Sequence, residues 1–220
     1  MSGKPDPVLV VFCRRPRLGE GKSRLARALG APQALAIAQA LLECALEDAR
    51  AWPGALVIAP ENPAEASWAH GLLERASVQA QPAGNLGERL NAVDAAVRAL
   101  GHERVLFIGS DAPSLTVSDL LAAHTALDAS DVVLAPARDG GVTLMGSRLA
   151  WPDLAPLPWS GPTLGEALEE CCRSHARSVM RLPDSYDVDE ASDLPTARHA
   201  LAADPRPARR RLHELLVKFA

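Results

Sequence analysis

The 220-residue sequence has few aromatic residues, which make up 4% of the chain. Proteins that bind single-stranded nucleic acids usually stack bases on aromatic side chains, so this scarcity disfavours such a function. The formal net charge of −4 also disfavours a general nucleic-acid binder, because such proteins are normally basic. Hydrophobic residues at 48% and charged residues at 23% are instead typical of a soluble globular protein.

Long hydrophobic runs and cysteine motifs are also missing. The first apolar run, Val8 to Cys13, is six residues long and follows a polar amino terminus, so it is too short for a membrane span or a signal peptide. The cysteines show no CxxC spacing, and the histidines show no metal-ligand spacing. No G-x-S-x-G motif is present. We therefore expect a cytoplasmic protein with reduced thiols, and neither a zinc enzyme nor a serine hydrolase.

Apolar strand-like runs alternate with helical patterns along the chain. This alternation predicts an α/β fold, in which a mostly parallel sheet is covered by helices on both faces. Strands are predicted at 8–13, 55–59, 78–81, 104–108, 131–135, 143–146 and 178–182. Helices are predicted at 23–29, 33–51, 64–76, 86–100, 117–127, 163–174, 190–202 and 208–219. We expect a single domain with a core over about 8–195 and a helical extension over 196–220.

A cationic loop follows the first predicted strand. It holds five positive side chains between the strand and the first turn of the next helix: Arg14, Arg15, Arg17, Lys22 and Arg24. Cations at a helix N-terminus oppose the helix dipole, and the free backbone N–H groups there also attract an anion. Open α/β sheets bind ligands at the carboxyl ends of their strands. The loop therefore predicts a site for a phosphate-bearing ligand such as a nucleotide. The alternative interpretation is that these arginines are solvated side chains beside a turn.

The stretch Gly19 to Ser23 is similar to the end of a Walker A motif. The first glycine of that motif would fall on Pro16, which has no N–H group and a fixed φ angle. A phosphate cradle built on this loop would lack a donor. A P-loop is therefore disfavoured.

Three aspartates are candidate ligands for a divalent metal. Asp111 follows the strand 104–108 at the end where ligands bind, and Asp187 and Asp189 lie on one side of an extended segment. Magnesium prefers oxygen ligands and commonly takes one or two protein carboxylates together with phosphates. Asp111 is otherwise a turn or helix-cap residue, and Asp189 an N-cap of the following helix.

Two glycine-containing segments complete the predicted pocket. Gly84, Gly87 and Arg89 belong to a segment that precedes a helix and would bring the backbone close to a base or ribose. Asp139-Gly140-Gly141 lies between two strands, where it either admits a ligand or forms a plain hairpin turn.

The order of these motifs resembles that of a known family. Along the chain it reads Arg-Pro-x-x-Gly-x-x-Lys-Ser-Arg-Leu, Gly-x-Leu-Gly-Glu-Arg, Gly-Ser-Asp-Ala-Pro-Ser-Leu, Pro-Ala-x-Asp-Gly-Gly, Pro-Trp-Ser and Asp-Val-Asp-Glu-Ala-Ser-Asp-Leu. This order is similar to that of the bacterial radical-SAM/selenodomain-associated, or arsenosugar-biosynthesis, glycosyltransferases. That family belongs to the nucleotide-diphospho-sugar transferase superfamily, which has the GT-A fold. More distantly, the chain resembles the guanylyltransferases of deazaflavin-cofactor synthesis.

The resemblance implies a metal-dependent transferase that uses a nucleotide-activated donor and a second, acceptor substrate, most simply for glycosyl transfer from a nucleotide sugar. A nucleotidyltransferase acting on a small phosphorylated acid or sugar is the alternative, and a non-catalytic nucleotide-binding module is a rival of another class. The implied catalytic residues are Lys22, Arg24 and Asp111, and the implied ligands of Mg²⁺ or Mn²⁺ are Asp111, Asp187 and Asp189. The implied nucleotide-binding residues are Arg14, Gly19, Lys22, Arg24, Gly84, Gly87, Arg89, Asp139, Gly140 and Gly141.

The chain departs from the family pattern at two positions on the acceptor side. Aromatic residues usually follow the Asp-Gly-Gly turn, whereas here Val142 and Thr143 do. Gly161 stands where the family commonly has threonine. Both changes remove bulk or a hydroxyl group near the expected acceptor.

Overall fold

A computed structural model describes residues 7–219, which are built around one seven-stranded sheet. Residues 1–6, which form most of the polar amino terminus, and residue 220 lie outside the described part. The strands are β1 (Val8–Cys13), β2 (Ala55–Pro60), β3 (Ser77–Val78), β4 (Val105–Ile108), β5 (Val132–Pro136), β6 (Val142–Ser147) and β7 (Val179–Arg181). Their order across the sheet is β3-β2-β1-β4-β6-β5-β7. β6 runs antiparallel to β4 and β5, and the other neighbouring pairs are parallel.

Helices connect these strands and cover the sheet. They are α1 (Ser23–Leu29), α2 (Ala31–Ala51), α3 (Ala66–His70), α4 (Leu86–Ala99), α5 (Val117–Ala126), α6 (Leu164–Ser174), α7 (Leu194–Leu201) and α8 (Pro207–Lys218). Short 3₁₀ turns lie at Pro63–Glu65 and Ala191–Asp193. None of the helices in residues 7–219 combines the length and the hydrophobicity that a membrane span requires. The predicted α/β fold with a mostly parallel, helix-covered sheet is confirmed.

Several predicted elements are shorter in the structure, including the strand predicted at 178–182, which is β7. The helix predicted at 64–76 is α3, which ends before Gly71, a residue of low helix propensity. The strand predicted at 78–81 is reduced to β3, although Gln79 and Gln81 still donate backbone hydrogen bonds to carbonyls of β2. The helix predicted at 190–202 starts as a 3₁₀ turn, and its α-helical part begins just before Pro195, a favourable first-turn residue.

The core lies on both faces of the sheet because the central strands are buried on both sides. In β1, Leu9 and Val11 belong to a cluster with residues of α2, α3 and α5, whereas Val8 and Val10 belong to a second cluster with residues of α4 and α6. This division follows from the alternation of side chains along a strand. A nearly continuous apolar strand such as β1 is typical of a sheet covered on both faces.

A third apolar cluster joins α1 and α2 to the two C-terminal helices. Leu212 and Leu216 of α8 are buried in it together with Leu25 of α1 and Val188. The apolar stripe of α8 therefore packs against α1 and the segment that holds Val188. The helix also carries one fully buried cation, Arg209, which the apolar pattern did not predict.

Candidate active site

The ends of three neighbouring parallel strands bring charged residues together. Arg14 directly follows β1, Glu61 directly follows β2, and Asp111 is the third residue after β4. Since β1, β2 and β4 run in the same direction, these residues lie along the same edge of the sheet. Open α/β sheets bind their ligands at this edge.

Lys22 lies at the centre of the charged residues. Its ammonium nitrogen Nζ is 3.0 Å from Oδ2 of Asp111 and 3.3 Å from Oδ1 of Asp189, and it donates a 2.7 Å hydrogen bond to the carbonyl of Val188. Burial of the ammonium group lowers its pKa, but the charges of Asp111 and Asp189 outweigh this effect, so the pKa of Lys22 is raised. The first loop, the turn after β4 and the segment that holds Asp189 therefore meet at Lys22.

The backbone of the first loop turns sharply to direct Lys22 inward. Lys22 has a φ of 41° and ψ of 42°, in the left-handed region, and is the N-cap of α1. Such a conformation is unfavourable for a residue with a side chain and is held only by its surroundings. Gly19 and Gly21 just before it have φ angles of 80° and 67°, which glycine adopts without strain.

Hydrogen bonds hold the two aspartate-bearing segments against each other. The amide of Val188 donates to the carbonyl of Asp111 at 3.0 Å. The hydroxyl of Ser114 donates to the carbonyl of Tyr186 at 2.8 Å and accepts from the amide of the same residue at 3.2 Å. These three hydrogen bonds therefore fix the position of the segment that leads to Asp189 relative to the Asp111 turn.

Asp187 lies close to other carboxylates. Desolvation, together with the negative charges of Asp111 and Asp139, raises its pKa to about 6, and Lys22 offsets this only in part. The cluster of carboxylates formed by Asp187, Asp111 and Asp139 therefore carries more negative charge than Lys22 neutralises. Carboxylate oxygens are the ligands that Mg²⁺ and Mn²⁺ prefer. Across residues 7–219, no three His, Cys, Asp or Glu side chains are already arranged around a common metal position. The residues thus fit a cation held by one or two carboxylates and completed by phosphate oxygens.

The other cations of the loop also contact carboxylates. Arg14 pairs with Glu61, while Arg15 and Arg17 both pair with Glu65. Arg24 contacts Asp189 at 3.2 Å and Glu190 at 2.9 Å. The sequence predicted an anionic ligand beside this loop. In this structure, acidic side chains of the protein itself neutralise the cations of the loop.

A cavity of about 460 Å³ opens beside these charges, within the usual size range of small-molecule sites. It is lined by eight of the predicted site residues: Arg14, Arg24, Arg89, Asp111, Asp139, Gly141, Asp187 and Asp189. Lys22 lines a smaller adjoining cavity of about 210 Å³, which shares Arg14, Asp111 and Asp189 with the larger one. The loop after β1, the turn at Asp111 and the segment 187–189 are distant in the sequence but border the same space.

The remaining predicted glycines do not line either cavity. Gly19 lies in the first loop with open space where a side chain would be, and Gly84 faces Glu88. Gly140, in the hairpin between β5 and β6, has its α-carbon pressed against the backbone of Pro162. Gly87 packs against the backbone of Leu154. In this structure, the close approaches at Gly87 and Gly140 are made by other parts of the chain.

Replacing Gly87 with alanine is expected to lower the free energy of unfolding by about 1–3 kcal/mol, the usual cost of overpacking. A β-carbon there would overlap the carbonyl of Leu154 and lie 2.6 Å from the indole nitrogen of Trp159. Urea denaturation measures the change. The matched control is Gly71→Ala at the end of α3, where the nearest atom is 3.3 Å away. An equal loss of stability in both variants would contradict this packing role.

Sequence patterns missed several residues of the cavity. Glu61 and Gln81 line it, and Gln81 donates to the carbonyl of Ala59 at 2.7 Å while accepting from Arg89 at 3.2 Å. Phe12 and Phe107, from adjacent strands, pack edge to face with ring centres 5.5 Å apart and also line the cavity. Glu61 directly follows β2. Its position at the carboxyl end of a predicted parallel strand could have identified it as a site residue, although it belongs to none of the motifs.

The fold and this edge of the sheet define an α/β protein with a ligand-sized cavity at the carboxyl ends of its parallel strands. A family model described as "Uncharacterized protein conserved in bacteria (DUF2064)" matches residues 41–161, more than half of the chain. The chain therefore belongs to the DUF2064 family. No curated protein matches the sequence.

Solved structures show the same fold at low sequence identity. A candidate nucleotide-diphospho-sugar transferase from Desulfovibrio desulfuricans G20 is 22% identical, covering 96% of this chain and 97% of that one, with a TM-score of 0.85. A nucleotidyl transferase from Methanothermobacter thermautotrophicus is 16% identical over 90% and 99% of the two chains, with a TM-score of 0.58. Rv0371c from Mycobacterium tuberculosis H37Rv, in complex with manganese, is 18% identical over 86% and 97%, with a TM-score of 0.52.

Proposed function

We propose that the protein is a metal-dependent glycosyltransferase that uses a nucleotide sugar as its donor. The observation that carries the proposal is the convergence of Lys22 with Asp111 and Asp189 beside a cavity of about 460 Å³. A cation and two carboxylates at the carboxyl edge of a parallel sheet suit a diphosphate bridged to a divalent metal.

The chain's own residues would act mainly on the leaving group. Arg24 is 54% exposed, so its guanidinium can turn from Asp189 and Glu190 towards a phosphate. Lys22 can give a charge-assisted hydrogen bond to the same diphosphate, and such bonds are stronger than neutral ones. Asp111 and Asp189 would hold Mg²⁺ or Mn²⁺, which when bound offsets the negative charge that develops on the departing nucleoside diphosphate.

Two observations support sugar transfer and the GT-A fold in particular. The order of the motifs resembles that of the arsenosugar-biosynthesis-type glycosyltransferases. In addition, the structure is similar over 96% of its length to a candidate nucleotide-diphospho-sugar transferase, with a TM-score of 0.85. In this proposal the oxygen of an acceptor hydroxyl attacks the anomeric carbon of the sugar and gives up its proton to water, while the nucleoside diphosphate leaves with the bonding electron pair.

Nucleotidyl transfer is the second candidate, because a nucleotidyl transferase has a similar fold with a TM-score of 0.58. In that reaction a substrate phosphate attacks the α-phosphorus of a nucleoside triphosphate, and pyrophosphate leaves. The same cations would stabilise that leaving group. The two reactions therefore differ in the product released rather than in the residues required.

Thermal melting with a panel of nucleotide sugars and nucleoside triphosphates, with and without Mn²⁺, tests binding. A true ligand at about 100 times its Kd is expected to raise the melting temperature by about 5–10 °C, and only when Mn²⁺ is present. Each ligand that binds is then incubated with candidate acceptors, namely sugars, alcohols and phosphorylated acids. Release of nucleoside diphosphate from a nucleotide sugar supports glycosyl transfer, and release of pyrophosphate from a triphosphate supports nucleotidyl transfer. Binding without either product favours a non-catalytic module, and no stabilisation by any ligand contradicts the proposal.

A further inference from the structure

A buried arginine in the last helix contacts the turn that carries Asp111. Arg209 of α8 is 0% exposed. Its Nε donates to the carbonyl of Pro113 at 3.3 Å, and its Nη2 donates to the carbonyl of Leu115 at 2.8 Å. One guanidinium group therefore binds two carbonyls of the turn that begins at Asp111.

The other side of the same guanidinium is held by α2. Nη1 of Arg209 lies 3.0 Å from Oε2 of Glu47 and donates to the carbonyl of Cys44, and Nη2 contacts the carboxylate of Asp48. Arg206, one turn earlier, repeats this bridge, since it donates to Asp48 at 3.0 Å and to the carbonyl of Leu115 at 3.2 Å. Arg209 of α8 and the N-cap residue Arg206 thus both link acidic residues of α2 to the Asp111 turn.

The contacts continue from the turn to the second aspartate segment. Ser114 lies between the two carbonyls that Arg209 binds, and its hydroxyl exchanges hydrogen bonds with the backbone of Tyr186. Val188 donates to the carbonyl of Asp111, and its own carbonyl accepts from Lys22. A displacement of the turn would therefore shift Asp111, Asp189 and Lys22 together.

The chemistry of arginine suits a residue that holds the Asp111 turn in place better than a residue that only adds stability. A buried ion pair loses much of its Coulomb energy to desolvation, and well-packed apolar residues often replace such pairs without loss of stability. What the guanidinium supplies is a planar fork with fixed directions, which can bind several acceptors at once. Lysine, with a single ammonium group, cannot reach carbonyls and carboxylates on opposite sides simultaneously.

We infer that Arg209 is a positioning residue, which holds the Asp111 turn so that Asp111 and Asp189 can bind a metal ion together. It does not border either of the cavities at the sheet edge, as far as residues 7–219 show. The inference rests on the proposed function for the identity of the metal-binding groups. It does not depend on the identity of the donor or the acceptor.

Hydrogen–deuterium exchange tests the positioning itself in the full-length protein. Arg209→Lys keeps the positive charge beside Glu47 and Asp48 but loses the fork. We expect the amides of Tyr186 and Val188 to exchange at least about tenfold faster in this variant, measured well below its melting temperature. That change corresponds to about 1.4 kcal/mol in the local opening equilibrium.

The matched control is Leu216→Ala, about two turns along the same helix. Leu216 is 2% exposed, so its truncation also weakens the docking of α8. If Arg209 had a merely structural role, the two variants would show the same exchange rates when each is measured equally far below its own melting temperature. Faster exchange at the two amides in Arg209→Lys alone supports the inference, and equal rates overturn it.

Binding of Mn²⁺ alone, followed by the electron paramagnetic resonance signal of the free ion, gives the second readout. Loss of an outer contact typically costs 10–100-fold in metal affinity, so Arg209→Lys is expected to bind Mn²⁺ at least about tenfold more weakly than Leu216→Ala. Equal affinities of the two variants overturn the inference. If the wild-type protein binds no Mn²⁺ even with nucleotide present, the proposed function is contradicted. The exchange rates then show by themselves whether Arg209 holds the Asp111 turn in place.

Discussion

Replacing Asp111 with asparagine is expected to abolish transfer and to weaken nucleotide-dependent Mn²⁺ binding by at least about 100-fold. Loss of an outer-shell contact already costs 10–100-fold, and Asp111 is proposed as a direct ligand. Asparagine has nearly the same shape but no negative charge. The side chain is 39% exposed and Lys22 keeps its contacts with Asp189 and Val188, so the fold itself should lose no more than about 1 kcal/mol.

Isothermal titration with Mn²⁺ and the nucleotide found in the melting screen measures the effect. The control is Glu74→Gln, which removes one exposed carboxylate beyond α3 and so changes the net charge by the same amount. Unchanged transfer in Asp111→Asn would remove this residue from the site. Equal losses in both variants would show that net charge alone is responsible.

The sequence predicted the fold well because local and global signals agree. The apolar run Val8–Cys13 has the length and composition of a buried parallel strand, and the structure gives β1 the same bounds. Residues 23–29 also form α1 as predicted, since Gly30 ends the apolar pattern. The approach of Lys22 to Asp111 was predictable too, because residues that follow parallel strands meet at one edge of the sheet.

Other features depended on packing that has no local signature. A buried arginine and an exposed one look the same in a helix pattern, and only the acidic pair of α2 and the carbonyls of the Asp111 turn make Arg209 buried. The role of Gly87 was also not readable, because its neighbour Leu154 is distant in the sequence. A glycine admits a close approach of any group, and a sequence does not tell whether that group is a ligand or the chain itself.

Replacing Lys22 with methionine is expected to have opposite effects on two ligands. Without nucleotide, Mn²⁺ affinity should rise about tenfold, since the ammonium group no longer competes for Asp111 and Asp189. Affinity for a nucleoside diphosphate in the presence of Mn²⁺ should fall about 10–100-fold, as one charge-assisted hydrogen bond is lost. Affinity for the nucleoside alone should not change, because it carries no phosphate.

The control for Lys22→Met is Arg27→Met, which removes an exposed cation from the last turn of the same helix. It should change none of the three affinities beyond the small effect of distant, screened charge. If Lys22→Met weakens Mn²⁺ binding without nucleotide, the ammonium group organises the carboxylates rather than competing with the ion. If it weakens the nucleoside and the diphosphate equally, Lys22 shapes the pocket and does not bind phosphate. Only the opposite changes agree with a lysine that holds the aspartates until a metal ion and a diphosphate replace it.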